Sequence, residues 1–123
     1  MSLFISQSGE TADTLAALRY AKASGQKVLA VVNVPTSTIA REAETVMPTL
    51  AGPEIGVAST KAFTCQLTAL AALAVAAGKA RGVLSDEDEA KLVHGLIELP
   101  RLMAAALTHE PQIERLARGI AKA

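Results

Sequence analysis

Aromatic side chains are almost missing from this sequence: it has no tryptophan, one tyrosine and two phenylalanines among 123 residues. Any core must therefore be aliphatic, and with half of the chain hydrophobic the material is there, mostly as alanine, leucine and valine. A chain of this size buries roughly two-thirds of the surface that it exposes unfolded, enough for one globular domain. Cysteine is equally scarce. Cys65 stands alone, which excludes an internal disulfide framework and fits a reducing compartment. Its apolar helical surroundings mark it as a packing residue rather than a reactive thiol.

Net charge is also lacking. Twelve basic and twelve acidic residues cancel, and the basic ones are dispersed, so there is no electrostatic footprint for nucleic acid or an acidic membrane. The longest unbroken apolar run, Ala69 to Ala77, falls well short of the ~20 residues that span a bilayer. Met1-Ser2-Leu3 has none of the basic-then-apolar pattern of a secretory leader. The expectation is a cytoplasmic protein. The chain opens only a few residues before a strand, so we further expect a shortened chain behind an added Met-Ser-Leu leader. His94 and His109 are its two histidines, and neither has a partner at ligand spacing, so no metal site is expected. The acidic run Asp86 to Glu89 reads as helix capping, not as a cation site.

What is present alternates. Leu3-Phe4-Ile5 forms an apolar strand that stops at Ser6-Gln7-Ser8-Gly9, and Thr14, Leu15, Leu18 and Ala21 follow at helical spacing up to Ser24-Gly25. Val28 to Val32 is a continuous β-branched and aliphatic run suited to a central parallel strand covered on both faces. Ser37 caps a short helix through Ile39 and Arg41, and Thr45 to Pro48 is a brief strand. The segment Ser59 to Ala77 is predicted to be a buried helix. Ser85 then caps a helix from Asp86 that Pro100 should kink or divide, and Pro111 opens a last helix with Ile113, Leu116 and Ile120. The fold class is α/β: a partial three-layer αβα sandwich on a short parallel sheet, doubly wound in flavodoxin-like manner, with a helical C-terminal third. We expect one partial domain over 1–123, with an α/β part over 1–80 and a helical part over 85–123.

Two segments can carry chemistry. Ser6-Gln7-Ser8-Gly9-Glu10-Thr11 lies between the carboxyl end of a strand and the start of a helix, where open α/β sheets place their ligands. Three hydroxyls, an amide and a glycine within six residues suit a phosphate, because backbone N–H groups at a helix start lack intrahelical partners and hydroxyls add neutral donors. The competing reading is a helix cap by Ser8 or Thr11. The pattern is neither the GxxxxGK[ST] of nucleotide hydrolases nor GxGxxG. The second segment, Glu54-Ile55-Gly56-Val57-Ala58-Ser59-Thr60-Lys61, again ends in hydroxyls that open a helix, with small residues that allow a close backbone approach.

These segments, extended to Thr14 and Thr64, resemble the sugar isomerase (SIS) fold of the glucosamine-6-phosphate synthase family, and the likeness continues through Asn33-Val34-Pro35 and Val93-His94-Gly95-Leu96. That resemblance implies a bifunctional parent. A glutaminase half releases ammonia, and an isomerase domain of two tandem SIS halves converts fructose 6-phosphate to glucosamine 6-phosphate without metal or cofactor. It implies that Ser6, Gln7, Ser8 and Thr11 hold the sugar phosphate and that Val57 and Ser59 line the same site, with Gly9, Glu54 and Lys61 as further candidates. The glutaminase half is not in this sequence. Neither is the second SIS half, which supplies the lysine, glutamate and histidine for imine formation and proton transfer. The expectation is a phosphosugar-binding first half that does not catalyse alone, whose partners are those halves and a sugar phosphate, and whose sheet edges favour a homo-oligomer. Two alternatives stand beside it: the sugar-phosphate sensor domain of a transcriptional regulator, and a stand-alone phosphosugar isomerase or deglycase.

Overall fold

The computed structural model describes residues 1–56 and 59–121. They form two compact units, Met1–Ala74 and Val75–Ala123.

The first unit is organised by strand β2 (Val28–Val32), all five residues of which are buried. It pairs in parallel with β1 (Ser2–Ser6) on one side and β3 (Thr45–Pro48) on the other, giving the order β1-β2-β3. The crossovers are α1 (Ala12–Ala23) and α2 (Thr38–Glu42). Right-handed crossovers in this strand order put both helices on one face. Strand alternation then sorts the side chains. Val28, Ala30 and Val32 pack with Leu18 and Ala21 of α1 and Ile39 and Ala40 of α2, with Phe4, Leu15, Ala43 and Val46 around them. Leu29 and Val31 point to the other side and are also buried. Their register partners on β1, Leu3 and Ile5, keep 40% and 41% of their surface exposed, so β1 behaves as an edge. The parallel α/β sheet expected from the sequence, with the aliphatic run as its centre, is what forms.

Glycine ends α1 where expected. Gly25 adopts φ +73°, its N–H donates to the Lys22 carbonyl, and the Gln26 N–H reaches the Ala21 carbonyl. That pair of bonds satisfies the carbonyls a helix end otherwise leaves open.

Helix α3 (Lys61–Ala80) corrects one expectation: among its residues only Ala62 is buried, while Phe63 and Leu67 are more than half exposed. Alanine-rich apolar composition permits burial on every side but does not supply neighbours. By length and composition α3 could cross a membrane, a property shared by core helices of soluble proteins.

In the second unit, the Ser85 Oγ accepts the Asp88 N–H at 3.1 Å and caps α4 (Asp86–Leu107). Gly78 packs against Leu84, where a Cβ would stand 2.9 Å from its Cδ1. Pro100 lies inside α4 and does not divide it, contrary to one of the two outcomes expected, because a single missing N–H leaves the neighbouring helical bonds to carry the backbone onward. Pro111 sits in the first turn of α5 (Glu110–Ile120), as its missing N–H allows.

Candidate functional site

The carboxyl ends of the three strands lead into three loops, and their hydrogen bonds decide which backbone donors remain free. After β1, the buried Ser6 Oγ accepts the Gly9 N–H at 3.0 Å and lies 3.1 Å from the Thr11 Oγ1. The Ser8 Oγ accepts the Glu10 N–H at 3.2 Å. Ser6 therefore shapes the loop from beneath, while Ser8 and the Gln7 side chain are half-buried at its rim. Thr11 occupies the N-cap position of α1, yet its side chain makes no capping bond. Among the described residues the N–H groups of Ala12, Asp13 and Thr14 have no acceptor. The start of α1 is an open set of donors with an exposed hydroxyl beside it.

The start of α2 is closed by this same loop. Glu10 turns its carboxylate away from α1 and accepts the Thr38 N–H at 2.7 Å. The Gly9 carbonyl takes the Ile39 N–H at 3.0 Å, and the Ser37 Oγ takes that of Ala40 at 3.4 Å. The Thr38 N–H, assisted by its hydroxyl and by the charge of Arg41, holds the Glu10 carboxyl below the ordinary glutamate range. A negative group within a proposed anion loop is thus directed to another helix. Gly9 adopts φ +68°, and a Cβ there would lie 1.9 Å from the Ser37 Oγ, so only glycine allows loop and helix to meet.

The start of α3 carries a carboxylate on one of its leading N–H groups. The Glu54 carboxylate accepts the Ala62 N–H at 3.0 Å and lies 3.4 Å from the Thr60 Oγ1. The Ala62 N–H lowers the Glu54 pKa most, with smaller contributions from the Gly56 N–H, the Lys61 charge and the Thr60 N–H. The helix begins directly after the hydroxyls of Ser59 and Thr60, with a carboxylate on its Ala62 N–H that the sequence did not announce. Ser59 stands just before it at φ +56°, its N–H donating to the Gly56 carbonyl at 3.0 Å. Lys61 is exposed. Val57 lies outside the described residues.

Asn33 ties the loops together, and sequence reasoning assigned it no role. Its N–H donates to the Gln7 carbonyl at 3.2 Å. Its Oδ1 accepts from the Thr49 Oγ1 and the Ala51 N–H, both at 3.0 Å, and its Nδ2 donates to the Gly52 carbonyl at 2.8 Å. An asparagine directly after a central strand is the available signal, because a side-chain amide offers an acceptor and a separate pair of donors at one position. No group of three or more potential metal-ligating side chains exists among the described residues.

The SIS domain family model matches residues 2–76. The chain is 80% identical over 122 residues to a glutamine–fructose-6-phosphate aminotransferase (isomerizing) of Bradyrhizobium diazoefficiens, and 65% identical over 122 residues to one of Rhizobium meliloti. These alignments cover 99% and 98% of this chain but only 20% of either relative. The chain thus spans one fifth of the length of the curated relatives it matches. Its structure superposes on the C-terminal domain of glucosamine-fructose-6-phosphate aminotransferase from Francisella tularensis with a TM-score of 0.89 and 42% identity, over 94% of this chain and 33% of that one. The regulator and stand-alone readings are not favoured by these relatives.

Proposed function

The chain belongs to the SIS domain family, and from that premise we propose that it is the phosphosugar-binding part of an isomerase domain that converts fructose 6-phosphate to glucosamine 6-phosphate. The observation that carries the reading is the unequal fate of three helix starts. The three leading N–H groups of α2 are taken by Glu10, Gly9 and Ser37, and Glu54 places a carboxylate on the Ala62 N–H of α3, whereas the N–H groups of Ala12, Asp13 and Thr14 have no acceptor among the described residues and no carboxylate beside them in their hydrogen bonds. Unpaired N–H groups at the positive end of a helix dipole bind phosphate without a lysine.

In this reading Ser8, Thr11 and Gln7 donate to the phosphate oxygens, Ser6 and Gly9 fix the loop, and the Ser59 segment with Val57 contacts the sugar. Glu54 is the cap that shapes that segment, and Lys61 lies beside it. The α/β part over 1–80 holds these residues, and the helical part over 85–123 holds none. The chain binds but does not turn over by itself, because anchoring a substrate positions it without supplying a general base or an amine for the open-chain carbonyl. Its partners are a glutaminase domain and a second SIS half, its setting is the cytoplasm, and the apolar β1 edge supports self-association. The test is an NMR titration of the isotope-labelled chain with fructose 6-phosphate. The amides of Ala12, Asp13 and Thr14 should shift with the phosphosugar and stay in place with fructose; shifts elsewhere only would reject the site.

A further inference from the structure

We infer that Asn33 is a positioning residue that sets the preference for a phosphosugar over bare phosphate, by fixing the chain that leads to Ser59. The inference deepens the phosphosugar reading above and rests on it. Gln7 follows β1, Asn33 follows β2 and Thr49 follows β3, so Asn33 sits in the middle of the row of strand ends. Its backbone and side chain serve opposite neighbours. The backbone N–H continues the β1–β2 pairing one step past Ser6 and Val32 to the Gln7 carbonyl. Among the described residues the side chain bonds only to the other side, to Thr49, Ala51 and Gly52.

That second neighbour needs holding. Leu50 and Gly52 both have positive φ, +55° and +70°, and Leu50 is 84% exposed, so burial of its side chain does not offset the strain of a left-handed leucine. The bonds from Asn33 to Ala51 and Gly52 clamp this turn from within. The chain then runs through Pro53 to Glu54, whose carboxylate accepts the Ala62 N–H, and Ser59 lies between these two in sequence. Asn33 thus holds the chain before Glu54, and Glu54 ties it to the first turn of α3. The phosphate loop is independent of the Asn33 side chain, since its own bonds run to α2 and to the Gln7 carbonyl through the Asn33 backbone. Removing the side chain therefore affects recognition of the sugar and leaves the anchor.

The test is calorimetric titration of the full chain and of Asn33→Ala with fructose 6-phosphate and, separately, inorganic phosphate. We expect Asn33→Ala to weaken fructose 6-phosphate about fivefold or more while phosphate affinity moves less than about twofold, the scale of a lost hydrogen bond. Thr49→Val, which removes one bond from the opposite end, should act in the same direction but less, and it decides the matter if Asn33→Ala does not fold. Equal losses for both ligands would make Asn33 merely structural, and unchanged affinities would leave it no role; either overturns the assignment alone. A parent chain that binds neither ligand overturns the phosphosugar reading, and this assignment with it.

Discussion

Gly9 and Ser37 meet so closely that a Cβ on residue 9 would fall 1.9 Å from the Ser37 Oγ. The contact joins the loop after β1 to the first turn of α2, and it needs both the absent side chain and the φ of +68°. Gly9→Ala should accordingly destabilise the chain by roughly 1 kcal/mol or more through strain, with the steric clash in addition. Urea denaturation measures this; an unchanged midpoint would mean that the loop docks differently.

Ser6 and Thr11 share a 3.1 Å contact but should respond differently to substitution. Ser6→Ala strands the Gly9 N–H in a buried position, a loss of about 1–3 kcal/mol in stability. Thr11→Ala removes a hydroxyl that caps nothing and whose partner, the Ser6 Oγ, keeps the Gly9 N–H, so stability should fall less than in Ser6→Ala, while phosphosugar affinity falls by roughly 1 kcal/mol or more, as for a bond to a charged group. Thermal melts beside ligand titrations separate the two. Equal behaviour of the variants would contradict the division of labour.

The Glu54 cap gives a pH dependence with a defined sign. Its carboxyl is held below the usual glutamate value chiefly by the Ala62 N–H. A depressed folded-state pKa contributes stability that is fully present above the unfolded value and is lost as pH falls through the folded one. The Ala62 amide resonance should therefore titrate with a midpoint below the usual glutamate range, and Glu54→Gln should abolish the step. A midpoint at or above that range would mean that the cap is not formed.

How much of this was legible depends on the range of the interaction concerned. The run from Val28 to Val32 shows in the sequence as a buried strand because its hydrophobicity is continuous, and Ser24-Gly25 shows as a helix stop because Gly25 uses a left-handed conformation. Ser37 and Ser85 are readable caps because each bonds an amide three residues on. Glu54 bonds an amide eight residues away and Glu10 one twenty-eight away, distances at which no local pattern operates. Asn33 is hidden for the same reason, its partners lying beyond the next strand. The exposure of α3 is not legible, because composition describes what a helix tolerates, whereas burial depends on what packs against it.

The central claim is that the start of α1 and the Ser6–Thr11 loop anchor a sugar phosphate. Calorimetric titration of the chain with fructose 6-phosphate, glucosamine 6-phosphate and unphosphorylated fructose tests it most directly. The account predicts saturable binding of both phosphosugars and none of fructose. Binding of fructose comparable to that of its phosphate, or no binding of either phosphosugar by folded protein, would contradict it.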